Sequence, residues 1–134
     1  MYFYHVSYND LGDKWLFYPR IPASRSYDED DSISRICVST DLIKCLYGIT
    51  GCGEGLIFKE FDKFDIDHDI FVYELYSLYF MQPSLEQCYD VYRTDEHWIL
   101  NDCIGYKIGI IDMYGLQKEH RINFIRTMEN DVTF

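Results

Sequence analysis

Positive charge is what this chain has least of. Only 12 of its 134 residues are Lys or Arg, against 23 Asp or Glu, which gives a formal net charge of −11 at pH 7. Proteins bind the phosphate backbone of nucleic acids mainly through Lys and Arg, which displace its counterions. The shortage of these residues removes direct nucleic-acid binding from the expected functions.

Close cysteine pairs and long apolar runs are also missing. The five cysteines include no C-x-x-C pair, so the sequence encodes neither a zinc knuckle nor a thioredoxin-like site. The N-terminus leads into a strand-like segment without the regions of a signal peptide. No stretch approaches the ~20 apolar residues of a membrane helix. We expect a soluble protein with reduced thiols in the cytoplasm, or in the host cytoplasm if the chain is viral, and no membrane partner.

The glycine-rich segment lacks the pattern of a nucleotide-binding loop. Its glycines are Gly48, Gly51, Gly53 and Gly55. A phosphate loop needs G-x-x-x-x-G-K-[ST] ahead of a helix. These glycines instead follow a helix-like segment, and no Lys-Ser or Lys-Thr pair comes after them. We interpret them as the end of a helix and a loop.

Two further candidates lack the residues that their chemistry needs. Cys52 lies between two glycines, but the sequence shows no base to activate it, and we expect a small buried residue. An acidic run lacks the glycine and the distal glutamate of a calcium loop, so no metal is expected. Its members are Asp62, Asp65, Asp67, His68 and Asp69.

Aromatic residues are abundant and favour a sheet. They make up 18% of the chain, with 13 Tyr and 9 Phe, and both residue types suit strands. The strand-like segments are 2–7, 15–18, 35–39, 69–76, 96–100, 104–111 and 121–125. A helix is predicted over 42–49, beginning at Ser39, Thr40 or Asp41. We predict a single α+β domain, residues 1–134, that is β-rich with one or two helices.

The acidic residues are concentrated in one part of the chain. Residues 54–102 contain twelve acids and three bases. One interpretation is a solvated acidic face that maintains solubility. The other is a surface that docks on a basic partner, such as a nucleic-acid-binding protein.

Three candidate site residues lie on strand-like segments or at their ends. His5 is in the first segment, Ser39 ends the segment that precedes the predicted helix, and Glu96 begins a later one. This order resembles the ADP-ribosyltransferase fold, in which a first strand carries Tyr-His or Arg, a second carries Ser or Tyr before a helix, and a later one carries Glu. The matching segments are Tyr4-His5-Val6-Ser7, Ile36-Cys37-Val38-Ser39-Thr40, the core strand 71–75 and Asp95-Glu96-His97-Trp98.

The resemblance implies two packed sheets around a cleft that binds NAD. His5 would bond a ribose hydroxyl, and Ser39 would support the nicotinamide side. Glu96 would bond the nicotinamide ribose and stabilise the positive charge that develops as the glycosidic bond breaks.

The resemblance also implies a set of cofactor-binding residues beyond this triad. Arg20 would pair with the pyrophosphate, because a guanidinium matches phosphate oxygens bidentately. Ser7 and Thr40 complete the set with His5 and Ser39. The implied activity is transfer of ADP-ribose from NAD to a protein or nucleic-acid acceptor.

Two other function classes stay open. One is a non-enzymatic acidic inhibitor, of the viral or mobile-element anti-defence type, that occupies a basic nucleic-acid-binding surface of a host protein. The other is a protein that sequesters a nucleotide signal without reacting it.

Overall fold

The computed structural model describes residues 1–23, 28–49, 53–60 and 68–126. They form a small α+β domain dominated by an antiparallel sheet. The strands are β1 (Tyr2–Ser7), β2 (Lys14–Phe17), β3 (Ile36–Ser39), β4 (Ile70–Tyr76), β5 (Phe80–Met81), β6 (Glu96–Ile99), β7 (Cys103–Ile111) and β8 (Phe124–Arg126). The helices are α1 (Leu42–Tyr47), α2 (Gly53–Phe58), α3 (Val91–Thr94) and α4 (Met113–Glu119).

The described strands form one sheet instead of the two packed sheets expected from the sequence. Its order is β2-β7-β4-β1-β3-β6-β5, and every pairing is antiparallel. The nine-residue β7 pairs with β4 along one edge and with both β2 and β8 along the other. Because this long strand joins three others, the two halves of the chain share a single sheet.

The sheet curls over one of its faces. The rings of His5 on β1 and Phe17 on β2 are 4.8 Å apart, although β4 and β7 lie between these strands in the sheet. Three strand spacings in a flat sheet would separate them by about 14 Å. A backbone bridge between Arg20 and Arg35 also ties the chain after β2 to the start of β3. We call the enclosed side, which carries His5 and Phe17, the inner face.

The four described helices lie toward the other side of the sheet, the helix face, which carries Tyr4 and Val6. Apolar residues of α1, α2 and α4 pack on the strands in one cluster made of Leu46, Leu56, Met113 and Leu116 with Ile70, Val72, Ile108 and Ile111, while Val91 of α3 packs with Cys88 and Trp98. A second cluster fills the inner face with Phe3, Phe17, Ile36, Val38, Tyr73, Leu75, Ile99 and Cys103. The helices therefore cover part of one face, while the curl closes the other.

The glycine segment and the short helices differ from the sequence prediction. The expected helix is present as α1, which Asp41 caps by accepting a hydrogen bond from the Lys44 amide, and Gly48 ends it. Gly53 and Gly55, expected in a loop, lie in α2, while Gly51 is outside the described residues. A Cβ on Gly53 would lie 2.1 Å from the Tyr47 carbonyl oxygen, so this position requires glycine for close packing on α1.

A buried cation fixes the polar, acidic segment 28–34 before β3. Arg35 is buried and donates from Nη2 to Glu29 Oε2 at 2.5 Å and from Nη1 to the Asp30 and Ile33 carbonyls at 2.7 and 2.9 Å. Its guanidinium also lies 4.0 Å from the centre of the Trp98 ring. The end of this acidic segment is therefore part of the folded core.

We predict that Arg35→Met lowers the free energy of unfolding by about 3 kcal/mol, because it leaves the Glu29 carboxylate buried without its cation. Urea denaturation measures the change. The matched control is Arg121→Met, whose pair with Glu119 at 2.6 Å is largely exposed and should leave stability unchanged. Equal effects of the two substitutions would contradict this account.

Candidate functional site

His5 lies on the inner face, where a hydrogen bond and a ring contact hold its side chain. Its Nδ1 lies 2.9 Å from the Cys37 carbonyl oxygen, and its ring packs on Phe17. Burial lowers the pKa of His5, and the positive charge of Arg20 lowers it further against the opposing bond to Cys37. The ring is therefore held neutral and aimed into the curl of the sheet.

Ser39 and Glu96 lie together on the helix face, away from His5. They are register partners across β3 and β6, and Ser39 is also the partner of Tyr4 on β1. Directly opposed residues share a face, and successive residues on a strand alternate. Since His5 follows Tyr4, it points to the opposite face. A ligand lying on one face of the sheet cannot contact all three residues.

The other residues assigned to cofactor binding divide in the same way. Ser7 lies on the same face of β1 as His5 and makes a local turn in which its Oγ bonds with the backbone of Asn9. Arg20 acts on the pKa of His5. Thr40, in contrast, directly follows Ser39. Among the described residues, the set therefore divides into one group near His5 and a second group near Ser39, and the two groups do not share a cleft.

The acid that contacts Ser39 and Thr40 is Asp95, whereas the acid expected at the site from the sequence is its neighbour Glu96. Asp95 Oδ2 accepts hydrogen bonds from the Thr40 amide at 2.8 Å, from the Thr40 hydroxyl and from Ser39 Oγ at 3.1 Å. Burial opposes its ionisation, but these bonds outweigh it and lower the pKa of Asp95. It ends α3 with φ 52°, and this left-handed conformation turns its carboxylate toward the loop before α1.

Glu96 has a different environment from its neighbour. Its oxygens accept from Trp98 Nε1 at 3.1 Å and from the Thr94 hydroxyl at 3.4 Å. Burial raises the pKa of Glu96 to about 7, and the negative charges of Glu29 and Asp90 add to this effect. A carboxyl that is only partly ionised at neutral pH is a weaker stabiliser of a developing cation than the fixed carboxylate that the resemblance implies.

The described residues bring one group of metal-ligand types together. Potential ligand atoms of Glu29, Cys88 and Asp90 lie within 4.8 Å of one another. Arg35 already supplies positive charge to Glu29. The Cys88 thiol donates to Asp90 Oδ1 at 3.2 Å, and burial raises the pKa of this thiol. A protonated thiol and a paired carboxylate are poor ligands, so we assign no metal to this cluster.

The remaining sequence candidates are only partly covered by the structure. Asp62, Asp65, Asp67 and Cys52 lie outside the described residues. Asp69, at the end of the acidic run, accepts a hydrogen bond from the Met113 amide at 3.2 Å and so supports the start of α4. Its role in the described structure is a local cap.

An open groove lies on the part of the helix face that the described helices leave uncovered. It has a volume of about 720 Å³. We call it the tyrosine groove, and its lining includes Tyr2, Leu16, Glu74, Tyr76, Ile104 and Tyr106. These residues come from four adjacent strands, β1, β4, β7 and β2. The groove could not be found from the sequence, because alternation along single strands does not show which strands become neighbours.

Comparisons of the chain with protein-family models, curated proteins and solved structures found no match. Among the helices of the described ranges, none has the length and apolar character needed to cross a membrane.

We predict that Glu96 makes stability depend on pH. The folded protein holds its proton more tightly than the unfolded chain, so this contribution is complete below pH 4.5 and is lost as pH rises through about 7. The free energy of unfolding of the wild type, compared with that of Glu96→Gln, should fall by up to about 3 kcal/mol over this interval. Urea denaturation at a series of pH values measures the difference.

The matched control for this measurement is Glu86→Gln, which removes an exposed carboxylate from a turn. Its stability should follow the wild type across the same pH range. A constant difference between the wild type and Glu96→Gln would show that burial does not perturb Glu96.

Proposed function

We propose that this protein is a non-catalytic acidic binding protein whose partner presents a basic surface. The observation that carries the proposal is the net charge of −11 on a chain of 134 residues. A net charge of this size creates a negative potential that attracts and orients a cationic partner over distances beyond direct contact. A nucleic-acid-binding protein is the class of partner that fits, because it concentrates Lys and Arg where it contacts phosphate.

The positions of the triad residues support binding over turnover. His5 faces the inside of the sheet, whereas Ser39 and Glu96 face the helix side. The Ser39 hydroxyl is engaged with Asp95 and with the Asp41 carbonyl at 3.0 Å. Moving these groups to one ligand would require breaking strand pairing or rotating β1, so we favour a protein that does not transfer ADP-ribose.

Internal ion pairs support the same function. Two of the bases, Arg35 and Lys107, are bound within the fold, Lys107 to Asp10 at 2.8 Å and to Asp13 at 3.7 Å. These bases are engaged with carboxylates and are not free to contact phosphate. The protein is therefore better suited to compete with nucleic acid for a basic surface than to bind nucleic acid itself.

We predict that a fluorescein-labelled nona-arginine peptide binds the protein and that its affinity falls steeply between 50 and 300 mM NaCl. The reason is that salt screens exposed charges, with a Debye length of about 10 Å at 0.1 M. Fluorescence anisotropy measures the binding. A 20-base-pair DNA duplex should not bind the protein and should compete with it for the peptide. Absence of peptide binding at low salt, or direct binding of the duplex, would contradict the proposed function.

We also predict that incubation with NAD releases no nicotinamide, because His5 and Glu96 cannot contact one nucleotide from the same side of the sheet. Chromatography of the reaction measures nicotinamide, and calorimetric titration with NAD measures binding. Nicotinamide release that disappears in Glu96→Gln would instead support an ADP-ribosyltransferase. NAD binding without release would support a protein that sequesters nucleotides.

A further inference from the structure

The tyrosine groove is open because the described helices cover only part of the helix face. The apolar residues of α1, α2 and α4 pack near Ile70, Val72 and Ile111, at one end of β4 and β7, and Val91 of α3 packs with Trp98 of β6. The register of these two strands shifts between Val72 and Tyr73. Past this irregularity the helix face carries the groove residues, and they stay accessible.

We propose that the tyrosine groove binds an arginine-bearing segment of a protein partner. This inference rests on the proposed function and deepens it, since it gives the basic partner a docking site and a preferred side chain. The occupant is argued from the aromatic lining, from the charge of the groove and from its size.

The aromatic lining presents ring faces and edges to solvent. Tyr2, Tyr76 and Tyr106 are 64%, 52% and 52% exposed. The rings of Tyr2 and Tyr76 lie 4.9 Å apart and are tilted by 59°. A contiguous exposed aromatic surface is typical of an interaction site, and tyrosine rings attract cations that lie over their faces.

The groove also contains carboxylates and has no basic residue in its lining. Glu74 is half-buried on β4, between Tyr4 on one neighbouring strand and Tyr106 on the other. Within the part of the chain that the structure describes, no hydrogen-bond donor or cation contacts the Glu74 carboxylate. Asp102 adds a second, exposed carboxylate at the margin. Charge complementarity therefore favours a cation.

Arginine fits these features better than lysine does. Its guanidinium is planar and weakly hydrated, so it stacks on tyrosine and still donates two parallel hydrogen bonds to one carboxylate. The ammonium of lysine is a strongly hydrated point charge that does neither as well. With a volume of about 720 Å³, the groove has room for an arginine side chain.

The test compares labelled nona-arginine and nona-lysine peptides by fluorescence anisotropy at fixed salt. We expect the wild type to prefer nona-arginine. The double variant Tyr76→Ala/Tyr106→Ala should bind nona-arginine about tenfold more weakly, as loss of two cation–π contacts implies, and should lose the preference. Tyr114→Ala is the matched control, since Tyr114 is exposed on α4 and does not line the groove.

A second pair of variants tests the charge of the groove without changing the aromatic lining. Glu74→Gln and Glu86→Gln remove the same charge, and only the first removes it from the groove. We expect Glu74→Gln to weaken nona-arginine binding at least threefold more than Glu86→Gln does. Because Gln is close in size to Glu, this comparison keeps the proposal testable if the tyrosine variants fail to fold.

The outcomes separate the docking site from the proposed function. If the groove variants bind nona-arginine as tightly as the wild type does, or if the wild type binds the two peptides equally, the tyrosine groove is not the site. The proposed acidic binding protein would then still stand. Failure of the wild type to bind either peptide would overturn both. Self-association of the wild type that Tyr76→Ala/Tyr106→Ala abolishes, together with unchanged peptide binding, would assign the groove to a second copy of the chain and overturn the proposal.

Discussion

The packing of Phe17 against His5 and Tyr73 closes the inner face of the sheet. Phe17 is on β2, which adjoins neither β1 nor β4 in the sheet, yet its ring lies 4.8 Å from that of His5 and 5.7 Å from that of Tyr73. These contacts exist only because the sheet curls. Gly105 makes room for it, since a Cβ there would lie 2.5 Å from the Phe17 ring. Because these rings close the inner face, both the packed helices and the open groove lie on the opposite face.

This constraint determines which polar residues meet. On the helix face, Asp95 holds Ser39 and Thr40, while Glu96 is enclosed beside Trp98. These contacts connect β3, α1 and α3, two strands along the sheet from β4. Glu74 on β4 is aligned with Ser39 through Tyr4, but it remains without such a partner among the described residues. The same face therefore has a satisfied structural network at β3 and β6 and an open acidic groove at β4 and β7.

The positions of most strands could be predicted from the sequence, whereas their pairing and register could not. Aromatic and β-branched runs identified β1, β3, β4 and β7, because such residues fit a pleated surface, and Asp41 marked the start of α1. The face of each candidate residue depends on register, such as the pairing of Tyr4 with Ser39, which arises from contacts between distant parts of the chain. The short helices α3 and α4 were missed because packing stabilises them more than local propensity does.

Docking of a cationic segment in the tyrosine groove is tested most directly by a titration of the ¹⁵N-labelled protein with nona-arginine, followed by backbone amide chemical shifts in nuclear magnetic resonance spectra. We expect the largest shifts at Tyr2, Glu74, Tyr76 and Tyr106. Shifts centred instead on Thr40, β3 and β6 would contradict docking in this groove.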